Sequence, residues 1–434
     1  MAKAPDKEAK SDILKEPAEV QYATQLEALR QNDGDAPPSA WKLSPRSVLT
    51  YIVGSTRPLK ATIGGKSVEV AISRKFFGDD ALVERAIVTL ASERALLLVG
   101  EPGTGKSWLS EHLAAGISGC STLTIQGTAG TTEEHIKYSW NVARVIAEGP
   151  TPQNMIPSPT MIAMKGGGLL RFEEITRCVP DVQDSLVSIL SDKNIAVPEL
   201  PDANMVYARP GFNVIATANS RDQGVNELSA ALKRRFNYIH IPIVADQKTE
   251  IAIVRDRSKE LLERYKITAK LEEPVLALLA TVFREMRNGA TAEGVSFQKP
   301  STTLSTAEAI GVALDSAIHA RYFGTGAIGV DDVARNLVGS VVKEDLADLA
   351  VLKEYLSVVA RKRARVGRAF DQHELRLALA HRSAQVSRHG RGVVPHGEPI
   401  ELLREHRLGL TLHLGDVELR RLHEALATAF IAAS

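Results

Sequence analysis

The spacing of apolar residues changes twice along the chain. Through residues 1–40 large apolar side chains are sparse among Lys, Glu, Asp and Pro, and the stretch closes in NDGDAPPS, a composition that predicts a flexible leader. Folded sequence is expected from Trp41. Ser44-Pro45 reads as a helix cap with proline at the first helical position, and LKATIGGKSVEVAI as two strands around a Gly64-Gly65 turn. From Phe76 onward short apolar runs alternate with helical patterns: ALLLVG (95–100), STLTIQ (121–126), GLLRF (168–172), FNVIATAN (212–219) and FNYIHIPI (236–243). Such strands separated by helices predict a parallel sheet covered on both faces. After about Ala245 a helical period takes over, as in ADQKTEIAIVRDRSKELLERY and AEAIGVALDSAIHARY. The expected organisation is a leader (1–40), an α/β domain (41–245), a smaller helical lid domain (246–360), and a basic linker with a helical extension (361–434).

Composition narrows the class without naming a function. With 434 residues, 44% of them hydrophobic, the chain can bury a sizeable core in two or three domains. Its 53 basic and 52 acidic residues nearly cancel, so overall charge gives no argument for a nucleic acid or an anionic membrane. Cys120 and Cys178 are the two cysteines, without CxxC or histidine spacing, which argues against a disulfide framework and a structural zinc. The start MAKAPDKEAK lacks the apolar core of a secretory signal, and no apolar run approaches the ~20 residues that span a bilayer. A cytoplasmic protein is expected.

The most specific chemistry lies where the first central strand ends. GEPGTGKS, residues 100–107, matches G-x-x-x-x-G-K-[ST] in full and precedes the helical pattern KSWLSEHLAAGI. Its glycines let backbone N–H groups turn toward phosphate oxygens, and the helix adds its positive end. The predicted nucleotide-binding set is Gly100, Glu101, Pro102, Gly103, Thr104, Gly105, Lys106, Ser107 and Trp108, with Lys106 reaching the β- and γ-phosphates and Ser107 ligating Mg²⁺.

That loop gives meaning to GGGLLRFEEITR (166–177), which alone reads equally well as a strand running into a capped helix with solvated first-turn acids. Beside a phosphate loop, Glu173 suits the Mg²⁺ water shell and Glu174 the attacking water, as general base. FNVIATANSRD then delivers Asn219 at a strand tip, where an asparagine either forms a turn or hydrogen-bonds the attacking water. LSAALKRRF ends a helix in Lys233, Arg234 and Arg235, which serve either as partners of the helix dipole or as guanidinium groups directed at a neighbouring subunit's nucleotide.

With these elements in order, residues 44–360 resemble the AAA+ ATPases, and within them the MoxR family. The carriers are GEPGTGKS, GGGLLRFEEITR, GFNVIATANSRD and ELSAALKRRF, with GTTEEHIKYSWN between the first two. By that likeness Glu173 and Glu174 hold the Walker B positions, Asn219 is the sensor 1 residue, and Arg235 is the arginine finger with Arg234 as its alternative. Residues 193–211 correspond to a hairpin before sensor 1, and the segment from Ser139 to Lys165 to an insert before the Walker B strand. Two positions depart from the family pattern: Glu173 stands where aspartate is usual, and Thr303 aligns with the sensor 2 arginine, a role that Arg321 is a candidate to fill. The resemblance implies an ATP- and Mg²⁺-dependent, ring-forming ATPase, often hexameric, that remodels a protein client with a partner carrying a von Willebrand factor A domain.

Two other readings stay open. Residues 361–391 hold nine basic and two acidic side chains, a local charge near +7 that either forms a solvated helical face or tracks phosphates, as a nucleic-acid-associated ring NTPase would need. Alternatively, the changes at 173 and 303 suit a nucleotide-binding switch or scaffold with little hydrolysis. His373, His381, His389 and His396 fit no paired metal spacing and read as surface residues.

Overall fold

The computed structural model describes residues 13–92, 94–200, 204–220, 226–269, 272–301, 304–343, 345 and 347–367. Thr303, the four tail histidines and the basic and helical-pattern sequence beyond Gly367 lie outside them. The chain divides into two units, Met1–Ala245 and Asp246–Ser434.

The first unit opens with a departure from the expected flexible leader. Residues 18–31 form helices α1 (Ala18–Gln21) and α2 (Ala23–Gln31), with Ala18, Tyr22, Leu26 and Leu29 buried in the core. Those four positions, spaced by four, four and three residues, form one helical stripe that outweighs the polar average composition. Lys15 pairs with Glu111 at 2.9 Å and the Glu19 carboxylate accepts the Ser121 N–H at 3.1 Å, so the segment is also tied by charge. Helix α3 (Pro45–Val53) starts as expected, with the Ser44 hydroxyl accepting the Ser47 N–H and Pro45 at the first position. Strands β1 (Leu59–Ile63) and β2 (Lys66–Val70) pair antiparallel around Gly64-Gly65.

Helix α4 (Asp80–Ala91) leads into the main sheet. Its first strand is β3 (Ala95–Gly100), followed by α5 (Lys106–Ser118) and β4 (Thr124–Gln126). An insert follows, made of α6 (Glu133–Ile136), β5 (Tyr138–Trp140), α7 (Val142–Glu148), β6 (Met155–Pro157) and α8 (Pro159–Gly166), in which β5 and β6 pair antiparallel. Then come β7 (Leu169–Glu173), α9 (Pro180–Asp184), α10 (Leu186–Ser191) and a second antiparallel hairpin, β8 (Asn194–Ala196) with β9 (Met205–Tyr207). Strand β10 (Asn213–Asn219), α11 (Ala230–Lys233) and β11 (Phe236–Ile241) complete the unit.

The five main strands run parallel in the order β11-β3-β10-β7-β4. Alternation along β3 explains its unbroken apolar run: Leu96 and Leu98 face the core that α3, α4 and α5 cover, while Ala95, Leu97 and Val99 face the core beneath α8 and α10. Strand β4 is shorter than its sequence pattern, because residues 121–123 precede the ladder.

The second unit is helical: α12 (Gln247–Arg264), α13 (Glu273–Asn288), α14 (Thr306–Phe323), α15 (Val330–Val341) and α16 (Ala347–Gly367). Its apolar core holds a charged clamp. Glu250, fully buried on α12, accepts three hydrogen bonds from the Arg287 guanidinium of α13 and one from the Thr306 hydroxyl, while Arg287 also donates to the Leu304 carbonyl. The start of α14 is thereby fixed to both neighbouring helices. Glu250→Ala leaves the Arg287 charge buried without its carboxylate, and should cost about 3–5 kcal/mol. Equilibrium denaturation and faster amide exchange in α14 measure it, and Glu250→Met with Arg287→Met should lie nearer the wild type.

Candidate functional site

The parallel register carries the sequence-predicted residues to one edge. Strand β10 lies between β3 and β7, Asn219 stands opposite Gly100, and Glu173 is the last residue of β7, so all three sit at carboxyl ends of adjacent strands. In open parallel sheets that edge is where ligands bind. The GEPGTGKS loop leaves β3 there and turns into α5 through Gly105, whose φ of 85° is left-handed and costs a side-chain-bearing residue strain.

At the start of α5 the backbone N–H groups of Lys106, Ser107 and Trp108 belong to the first turn, which has no intrahelical acceptors, and no side chain caps it. This is the arrangement that receives phosphate oxygens. The Lys106 ammonium is buried under the loop and donates to the carbonyls of Gly100 (3.0 Å) and Glu101 (2.8 Å). The Trp108 indole turns away, donating to the Lys75 carbonyl at 2.9 Å and meeting the His112 ring edge-on. Its part in a phosphate site therefore belongs to its backbone.

Below the loop lies a buried network centred on Glu173. One carboxylate oxygen accepts from the Arg171 guanidinium (2.8 Å) and the Ser110 hydroxyl (2.6 Å); the other accepts from the hydroxyls of Ser107 (2.6 Å) and Thr217 (2.8 Å). Burial by itself pushes this carboxyl up, but the Arg171 charge and the three hydroxyl donors outweigh it, and the net direction is down. The group is an anion at neutral pH. Arg171, Ser110 and Thr217 were not singled out from the sequence. Their signal is a charged residue in an otherwise apolar central strand: Arg171 and Glu173 are two residues apart and share the face of β7 that looks toward α5.

Glu174 is placed differently from its neighbour. It adopts a left-handed backbone, φ 53° and ψ 47°, and is followed by a short 3₁₀ turn over Ile175–Arg177 in place of an α-helix. Three contacts hold that conformation. The Glu174 N–H donates to the Thr217 hydroxyl at 2.9 Å, and its carbonyl accepts the Arg177 N–H at 2.9 Å. Gly127 approaches so closely that a Cβ there would lie 2.4 Å from the Glu174 carbonyl oxygen. The Glu174 side chain is partly exposed and pairs with Arg177 at 3.2 Å.

Arg235 is not at this edge. Its carbonyl accepts the Ala95 N–H where β3 begins, five residues before Gly100, or about 17 Å along the strand at ~3.3 Å per residue. Its guanidinium donates to the Ser191 hydroxyl and to the Ala231 carbonyl, and Arg234 beside it is exposed.

A complete phosphate loop after one β-strand, a buried acid at the tip of the next strand but one and a parallel sheet in this order define an ATP-binding P-loop ATPase domain of the AAA+ class. Comparison with known families agrees: residues 95–236 match the AAA domain (dynein-related subfamily), and residues 248–380 match the YehL-like AAA+ ATPase C-terminal domain. The uncharacterised Escherichia coli K12 protein YehL is 42% identical over 345 residues, covering 79% of this chain and 91% of that protein. The uncharacterised Bacillus subtilis protein YojN is 26% identical over 199 residues, 43% of this chain and 61% of its own. Among solved structures, NtrX from Brucella abortus in complex with ATP aligns with a TM-score of 0.43 at 14% identity, covering 63% of this chain and 58% of that one. The chain belongs to the YehL-like AAA+ ATPases.

The Glu173 network sets an acid dependence. A carboxyl held below its ordinary value of 4.5 contributes stability that is fully present above that pH and is lost as the pH falls through the lowered value. The melting-temperature advantage of the wild type over Glu173→Gln should therefore be constant from pH 7 to about 5 and shrink below 4.5 in thermal melts.

Proposed function

We propose that this protein is a MoxR-type ATPase that hydrolyses ATP with Mg²⁺ in a ring oligomer, six-membered by the family resemblance, and uses the cycle to remodel a protein client. By the same resemblance its partner carries a von Willebrand factor A domain. The observation that carries the reading is the separation of Arg235 from the phosphate loop of its own chain: Arg235 lies beside the start of β3 and the loop leaves that strand's other end. A guanidinium there acts on a nucleotide only when the nucleotide belongs to another subunit, which makes assembly a condition of turnover.

The residues fit the metal the reading requires. Among the described residues no three His, Cys, Asp or Glu side chains cluster to form a cage. Mg²⁺ is a hard cation held mainly by phosphates and water with one or two protein oxygens. Ser107 is the residue to hold it: its proton is engaged by Glu173 at 2.6 Å, which leaves the hydroxyl oxygen's lone pairs for a cation. When bound, Mg²⁺ supplies charge neutralisation at the β- and γ-phosphate oxygens. Glu173 acts by orienting that serine, so the longer side chain at this position serves where aspartate is usual. Lys106 leaves the Gly100 and Glu101 carbonyls for phosphate oxygens. Glu174 takes the proton of the attacking water once its carboxylate leaves Arg177, and Asn219, opposite Gly100, orients that water.

A protein client is favoured over nucleic acid by the surface of the two inserts. Val142 and Ile146 on α7 are 67% and 81% exposed, and Ile156 on β6 and Tyr207 on β9 are exposed as well. Residues 138–157 carry one basic and one acidic side chain, Arg144 and Glu148. An exposed, apolar and nearly uncharged surface on the first insert suits unfolded or loosely packed polypeptide and offers little to a phosphate backbone. The two inserts are joined, because Glu199 accepts from the Tyr138 hydroxyl at 2.8 Å and the Trp140 indole at 3.2 Å.

ATP turnover per subunit should rise with protein concentration. Glu174→Gln should lower it about 10²–10⁴-fold while retaining nucleotide, and Arg235→Ala about 10³-fold or more. A phosphate-release assay over a concentration series checks all three, and a wild type no faster than its variants would favour the switch or scaffold. Salt-sensitive stimulation by DNA would favour the nucleic-acid reading.

A further inference from the structure

Arg171 has a contact set that the proposed chemistry does not use. Its side chain is about nine-tenths buried, and every arm of the guanidinium is committed: Nε to the Ser110 hydroxyl (3.0 Å), one terminal nitrogen to the Ser121 carbonyl (2.9 Å), the other to the Glu173 carboxylate (2.8 Å) and the Ser107 carbonyl (3.2 Å). A guanidinium holds such a fork where an ammonium cannot. The partners lie on β7, on the first turns of α5 and on the loop before β4, so one side chain joins the acid strand to the helix that carries the phosphate loop.

The electrostatic consequence follows from the geometry. Glu173 sits directly under Ser107, the residue where the nucleotide's phosphates and their cation are held in the proposed reading, on which this inference rests. A bare carboxylate there repels a metal-free ATP tetra-anion, and in a partly buried site that repulsion is screened far less than in water. Arg171 cancels the charge at 2.8 Å. We propose that Arg171 is a positioning residue that neutralises Glu173 and so sets how far nucleotide binding depends on Mg²⁺. With the pair intact, the loop accepts ATP with or without the cation; with Arg171 replaced by a neutral residue, only the cation-neutralised nucleotide binds well.

The test measures ATP binding to the full-length protein by titration calorimetry, once with Mg²⁺ and once with EDTA, and takes the ratio of the two dissociation constants, metal-free over Mg²⁺. Arg171→Gln should raise that ratio on the order of tenfold over wild type, Glu173→Gln should lower it several-fold, and the double variant should return it to near the wild-type value. Arg171→Lys, which keeps the charge and loses the fork, should leave the ratio close to wild type. A merely structural arginine would weaken both constants by the same factor. An unchanged ratio in Arg171→Gln, or in Glu173→Gln should the former fail to fold in a thermal melt, overturns the proposal. No ATP binding by the wild type in either buffer overturns the nucleotide reading beneath it.

Discussion

A carboxylate in a protein interior is costly unless its oxygens are satisfied, and Glu173 is satisfied by four side chains drawn from three elements. Arg171 comes from the same strand, Ser107 and Ser110 from the helix after the phosphate loop, and Thr217 from the central strand. No one of these elements can shift without exposing the acid's charge to an unpaired environment. The network therefore fixes the distance between the acid strand and the phosphate loop, on which any transfer of a phosphoryl group depends. It also links the two glutamates, because the Thr217 hydroxyl that donates to Glu173 accepts the backbone N–H of Glu174.

The two adjacent acids thus differ in placement through backbone conformation. Glu173 ends a strand and points inward. Glu174 takes a left-handed turn, which costs a residue of its kind on the order of 1–3 kcal/mol, and so presents its carboxylate at the surface of the site. The strain is sustained by the close passage of Gly127 from the loop after β4, where any larger residue would collide with the Glu174 carbonyl.

How much of this was legible in the sequence varied with the range of the interactions involved. The phosphate loop, the Ser44-Pro45 cap, the Gly64-Gly65 hairpin and the change from strand to helix patterns after Ala245 all rest on neighbours a few residues apart. Each appears where its local chemistry puts it. Over residues 18–31 helices stand where a flexible leader was expected, because the average composition masked the stripe of Ala18, Tyr22, Leu26 and Leu29. The stripe was present in the letters, but its value came from surfaces on α5, α3 and β1 that the letters do not display. Arg171 is illegible for a similar reason, as a charge in a buried strand has no meaning until its partners are known.

By itself the sequence determined which residues could do chemistry: a loop able to wrap phosphate, two acids after an apolar run, an asparagine and a run of basic residues before later strands. Local stereochemistry and periodicity suffice for that, because they act within a turn of helix or a few residues of strand. Only the tertiary structure decided which of them meet. The parallel register set Asn219 opposite Gly100 and Glu173 beneath Ser107, and put Arg235 at the far end of the strand from the phosphate loop. Strand order and register are settled by packing between residues up to 141 positions apart, as between Ala95 and Phe236, and no short-range pattern encodes them.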